Sequence, residues 1–158
     1  MTPESSDWDP TGNGPGPLTP RYASPEQILG ERITTASDVF SLGVLLFRLL
    51  AGRSPYLSSV SERLHELRDE EAAPSLEQTA RSAPGSPAAR ELLALERSRR
   101  QDLTAIAAKA LRRETGERYG SVEQLVDDLR CWLQDLPVSS RLPTLRYRLW
   151  GLEYCLSG

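Results

Sequence analysis

The sequence predicts a mainly α domain built around one buried central helix, and three observations carry that prediction. A run from about Ala36 to Ala51 reads Val39, Phe40, Leu42, Val44, Leu45, Leu46, Phe47, Leu49 and Leu50, with Arg48 its one clear charge. A helix apolar on nearly every side is buried on most of its surface. A second run, Val122, Leu125, Val126, Leu129 and Trp132, has the i, i+3, i+4, i+7 spacing of an amphipathic helix. No stretch alternates apolar and polar residues as a half-buried strand would. The length of 158 residues, with 39% hydrophobic and 26% charged, suits one globular domain with a real core.

Taken in chain order, residues 1–17 read as a disordered leader, because Pro3, Pro10, Pro15 and Pro17 alternate with Gly12, Gly14 and Gly16 without apolar periodicity. The Gly12-x-Gly14-x-Gly16 spacing is not a phosphate loop: no strand precedes it, no helix follows it and no P-loop lysine is present. A short helical turn is expected from Pro25 to Leu29, stopped by Gly30. For the central helix, Thr35 with Asp38 three residues on forms a capping box, and Gly52 stands where a left-handed C-terminal residue is wanted.

Ser54-Pro55-Tyr56 breaks the chain. A weaker amphipathic helix is expected from about Ser59 to Glu70, with Val60, Leu64 and Leu67 on one stripe. Residues 72–88, with Pro74, Pro84 and Pro87, read as a loop, and Ala88 to Arg99 as a helix with Leu92, Leu93 and Leu95 inward. Asp102 then caps a helix through about Arg112 that buries Leu103, Ile106, Ala107, Ala110 and Leu111. Ser121 with Gln124 is a second capping box, opening the last strong helix, which runs to about Leu133. From Pro137 onward Arg141, Arg146 and Arg148 interleave with Leu142, Leu145, Tyr147, Leu149 and Trp150; a terminal helix laying its leucines on the domain is expected, ahead of one that seeks a membrane surface.

Composition excludes several classes of function. A formal net charge of −3 leaves no electrostatic footprint for nucleic acid. Cys131 and Cys155 lack metal-ligand spacing and form no disulfide framework. No signal peptide opens the chain and no apolar run approaches the ~18 residues of a membrane span, so a cytoplasmic location without membrane association is expected. The single histidine, His65, reads as a surface residue, and the single lysine, Lys109, sits inside a late helix.

Three short segments carry chemical information: Thr19-Pro20-Arg21-Tyr22-Ala23-Ser24-Pro25-Glu26, Ser37-Asp38-Val39-Phe40-Ser41-Leu42-Gly43, and Glu117-Arg118-Tyr119. In this order and at these separations they resemble the C-terminal lobe of a bacterial serine/threonine protein kinase, over about Leu18 to Arg141. The resemblance implies a kinase C-lobe-like helical domain over residues 18–136, followed by a post-kinase tail over 137–158. It makes Thr19, Arg21 and Tyr22 the substrate-facing residues, and Ser24-Pro25-Glu26 the counterpart of the A-P-E motif. Before Thr19 the family usually has glycine, where this chain has Leu18. Glu26 and Arg118 become a structural ion pair, suited to the planar guanidinium fork, which binds a carboxylate with two hydrogen bonds and stays charged when buried. Asp38 and Gly43 become the anchor of the central helix.

The segments that perform phosphoryl transfer in the family are not in this sequence. It contains no glycine-rich ATP loop, no Val-Ala-x-Lys strand, no His-Arg-Asp with its downstream asparagine and no Asp-Phe-Gly. No catalytic residue, metal ligand or cofactor-binding residue is therefore assigned; ATP and Mg²⁺ belong to the intact relatives. In those relatives the central helix is partly covered by the helix and loop that precede the substrate loop. Uncovering roughly 400 Å² of apolar surface would forfeit on the order of 10 kcal/mol, the whole stability of a typical domain. Other residues then cover that face, or the lobe associates with itself or a partner, or it aggregates. Three functional readings stand: a kinase fragment inactive alone, a stand-alone protein-interaction module, and one half of a complementing pair.

Overall fold

The computed structural model describes residues 22–56 and 74–141, and the secondary structure of these residues is entirely helical. Helix α1 spans Pro25–Leu29, α2 Thr35–Ala51, α3 Leu76–Arg81, α4 Pro87–Ala94, α5 Arg97–Ala110 and α6 Val122–Leu133, with a 3₁₀ turn at Thr115–Glu117. Helix α2 is the axis on which α3, α4, α5 and α6 pack.

The ends of α1 and α2 lie where the glycines place them. Gly30 and Gly52 have φ of 69° and 73°, the left-handed conformation that closes a helix and that a side chain disfavours. The cap of α2 is one residue earlier than the sequence suggests. Thr34 is the N-cap and accepts from Ala36 N at 3.3 Å, while Ser37 Oγ accepts from Thr34 N at 3.2 Å. This Thr34–Ser37 box replaces the expected Thr35–Asp38 box, because a hydroxyl at the third helical position reaches back to the cap as a carboxylate would.

Two cores flank α2. Phe40, Val44, Phe47 and Ala51 pack with Leu76 and Ala80 of α3, Ala89 and Leu92 of α4, and Leu103, Ala107 and Leu111. On the other flank Val39 packs with Ile106, Ala110, Tyr119, Leu125 and Val138. All five apolar residues expected to be buried over 103–111 are buried. The helix is nonetheless not enclosed on every side: Leu42, Leu45 and Leu49 are exposed on one stripe.

Four local expectations are corrected. The stretch 72–88 is not a simple loop, because Ser75 caps α3, whose Leu76 and Ala80, one turn apart, bury against α2. The expected 88–99 helix is two helices. The chain extends at Leu95 and Glu96, and Arg100 Nη1 donates to the carbonyls of Leu93 and Leu95 at 3.0 and 2.9 Å, satisfying oxygens that the break releases. Asp102 therefore lies inside α5 and is not its cap; its carboxylate accepts from Arg141 Nη1 at 2.7 Å. At α6, Ser121 is the N-cap, but the Gln124 side chain accepts from Gly120 N rather than from Ser121. The expected leader, the 59–70 helix with His65, and the tail beyond residue 141 with Cys155 lie outside the described residues.

Candidate functional site: a buried arginine–glutamate staple

Arg118 enters the interior from the extended backbone that follows the 3₁₀ turn, and every donor of its guanidinium is used. Nη1 donates to Glu26 Oε1 at 2.7 Å and to the Ala36 carbonyl at 2.8 Å. Nη2 donates to Glu26 Oε2 at 2.9 Å and to the Arg113 carbonyl at 2.8 Å, and Nε to the Arg112 carbonyl at 2.6 Å. The guanidinium also lies 4.9 Å from the Phe40 ring centroid. One side chain thus ties α1, the first turn of α2 and the loop after α5 into one unit.

Glu26 is held at this point by the first turn of α1. Pro25 occupies a position whose missing N–H is harmless, and the buried Ser24 and Gln27 cap the turn, with Gln27 Oε1 accepting from Ser24 N at 2.8 Å. Ser37 Oγ completes the carboxylate's shell by donating to Glu26 Oε1 at 2.7 Å. Burial by itself would raise the Glu26 carboxyl; the hydrogen bonds from Arg118 and then Ser37 outweigh it and hold the group at about 2.

Of the other residues singled out by sequence, Tyr22 is half-buried beside the staple. Its carbonyl accepts from Ser41 Oγ at 2.9 Å and its hydroxyl from Arg48 Nη1 at 2.5 Å, so α2 grips it at two points. At Gly43, α2 lies close against the end of α5. A Cβ there would meet Ala110 Cβ at 2.8 Å and Leu111 Cδ2 at 3.2 Å. Asp38 is exposed in the first turn of α2, apart from the staple, where its charge complements the helix N-terminus. Thr19 and Arg21 lie outside the described residues.

A second buried carboxylate was not picked out from the sequence. Asp128 accepts from Tyr119 Oη at 2.8 Å, from Ser139 N and Oγ at 2.7 and 3.1 Å, and from Ser140 N at 3.0 Å. Burial would raise it; the Ser139 amide and the Tyr119 hydroxyl lead the interactions that lower it instead. This knot seats Val138 in the second core, and the neighbouring residues Arg118 and Tyr119 therefore anchor two different segments, α1 through Glu26 and residues 138–140 through Asp128. The available signal was an aspartate on the apolar side of α6, between Leu125 and Leu129.

The described residues do not fit a nucleotide–metal centre. No group of three or more potential ligands among them could hold a metal ion, and Lys109, the one lysine in the sequence, stands 4.3 Å from the Tyr119 ring centroid. The assembled groups hold a backbone in place.

A helical lobe whose A-P-E-like turn is bonded to an arginine 92 residues later is the arrangement of a kinase C-lobe. A protein kinase domain model matches residues 16–129, and the chain belongs to that family. Its relatives include bacterial serine/threonine-protein kinases. PksC of Streptomyces coelicolor is 30% identical over 112 residues, 70% of this chain and 17% of PksC. Pkn2 of Myxococcus xanthus is 33% identical over 111 residues, 70% of this chain and 12% of Pkn2. PknB of Mycobacterium tuberculosis is 31% identical over 113 residues, 70% of this chain and 15% of PknB. The chain thus spans less than a fifth of each of these relatives. Among the described residues no helix is long and apolar enough to cross a membrane.

Proposed function

We propose that this chain supplies the substrate-side half of a serine/threonine protein kinase, presenting the segment around Thr19, Arg21 and Tyr22 to a protein, and does not transfer phosphate by itself. The observation that carries the reading is the Arg118 staple, which fixes Glu26 and, through Ser37 and Ser41, the backbone leading out of the substrate segment. Positioning groups and Mg²⁺ ligands around the γ-phosphate are what phosphoryl transfer requires, and this sequence offers none of the family's motifs for them. ATP and Mg²⁺ would accordingly be held by residues outside this sequence. The partner class is protein, without nucleic acid, and the setting the cytoplasm.

Equilibrium dialysis of the purified chain against labelled ATP with Mg²⁺ tests this reading. No saturable binding up to about 1 mM is expected, and a stoichiometric site below about 100 µM would overturn it. A second reading, a stand-alone interaction module, is favoured by the exposed Leu42, Leu45 and Leu49 on the central helix.

A further inference from the structure

We propose that the segment around Thr19, Arg21 and Tyr22 selects acidic protein sequence and that Arg48 of α2 is its specificity-determining residue, an inference that rests on reading this segment as the protein-facing one. Arg48 reaches the segment directly. Its Nη1 donates to Tyr22 Oη at 2.5 Å across 26 positions of sequence. Ser41, roughly two turns earlier on the same helix, holds the Tyr22 carbonyl at 2.9 Å. A phenol hydroxyl accepts one guanidinium N–H and offers no countercharge at neutral pH, so the bond places the cation without neutralising it. Among the described residues no carboxylate forms a salt bridge with Arg48.

The segment adds charge of the same sign. Arg21 is the one charged residue between Leu18 and Pro25 and directly precedes Tyr22, so a second guanidinium belongs to the segment that Arg48 grips. Glu26, the next carboxylate along the chain, is buried and committed to Arg118 and Ser37. Asp38, the acidic residue of α2, stands nearly three turns before Arg48, about 15 Å along the helix and beyond the ~8 Å reach of exposed charges in physiological salt. Two guanidiniums unaccompanied by a carboxylate of the segment suit aspartate or glutamate side chains, which each planar fork takes with two parallel hydrogen bonds. An arginine or lysine in the same place would meet like charge. The chain as a whole carries a formal net charge of −3 and disfavours acidic peptide, so selection of acid identifies a local site and not the overall field.

Fluorescence anisotropy of the full chain with three short labelled peptides tests this, each with a central serine flanked by aspartates, by asparagines or by arginines. The acidic peptide is expected to bind about fivefold more tightly than the neutral one and the basic peptide most weakly, with the differences compressed at about 0.5 M salt. Arg48→Glu should abolish or reverse this order while the far-ultraviolet circular dichroism is unchanged. Arg48→Gln should remove most of it, and serves should the glutamate variant fail to fold. Arg130→Glu makes the same change in net charge at an exposed position of α6 and should leave the order intact. Equal affinity for the three peptides, or an order that both Arg48 variants leave unchanged, overturns the proposal while the protein-facing role of the segment stands. No binding of any peptide up to about 1 mM removes that role, and the acidic selection with it.

Discussion

Replacing Glu26 with glutamine changes one atom of the staple and should cost about 3 kcal/mol at neutral pH. The carboxyl titrates at about 2 in the folded chain against an ordinary 4.5. Each tenfold change in proton affinity is equivalent to about 1.4 kcal/mol, so the charged form gains about 3 kcal/mol on folding. The general cost of breaking a buried pair, about 3–5 kcal/mol, agrees. The folded value is the depressed one, so this stability is fully present above pH 4.5 and is lost as pH falls from 4.5 toward 2. Urea unfolding of wild type and Glu26→Gln, followed by circular dichroism between pH 7 and pH 3, reads both quantities. The gap between the two proteins should be about 3 kcal/mol at pH 7 and shrink steadily below pH 4.5. A gap under about 1 kcal/mol at pH 7, or one that does not change with pH, would refute the reasoning.

Further substitutions probe the rest of the frame. Arg118→Lys should lose about 2–4 kcal/mol in the same assay, because an ammonium cannot reproduce the five-donor fork that now reaches Glu26, Ala36, Arg112 and Arg113. Gly43→Ala should lower stability by about 1–3 kcal/mol, since its Cβ would stand 2.8 Å from Ala110 Cβ, and Ala110→Gly should recover part of the loss in the double variant. Asp128→Ala should cost about 1–3 kcal/mol and accelerate amide hydrogen exchange at Ser139 and Ser140, whose N–H groups now donate to its carboxylate.

The helical class, the C-terminal ends of α1 and α2 and the buried side of α5 were legible because each rests on local chemistry: glycines placed to close helices, and leucine, isoleucine and alanine at helical spacing. Glu26 and Arg118 could be named as partners only through the kinase-like order of three motifs; nothing in residues 92 positions apart dictates that they meet. What the sequence did not disclose depends on tertiary neighbours. Asp102 has the residue type of a cap, yet Arg100 captures the carbonyls at the preceding break and so lets α5 begin earlier, at Arg97. Asp128 looks like a solvated helix residue until Tyr119 and Ser139 are seen to surround it. The leucines of α2 read as buried on most sides, and apolar character alone does not tell which face is covered and which awaits a cover. Thr19 and Arg21, which the family pattern makes substrate-facing, lie beyond the described residues.

The central claim is that this chain keeps the frame of a kinase C-lobe without the means to move a phosphoryl group. Incubating the purified chain with Mg²⁺ and ATP labelled at the γ-phosphate, together with a mixture of serine- and threonine-containing proteins, tests it most directly. No label is expected on any protein above a control without the chain. Label that rises with the amount of chain and disappears with Arg118→Lys would contradict the claim.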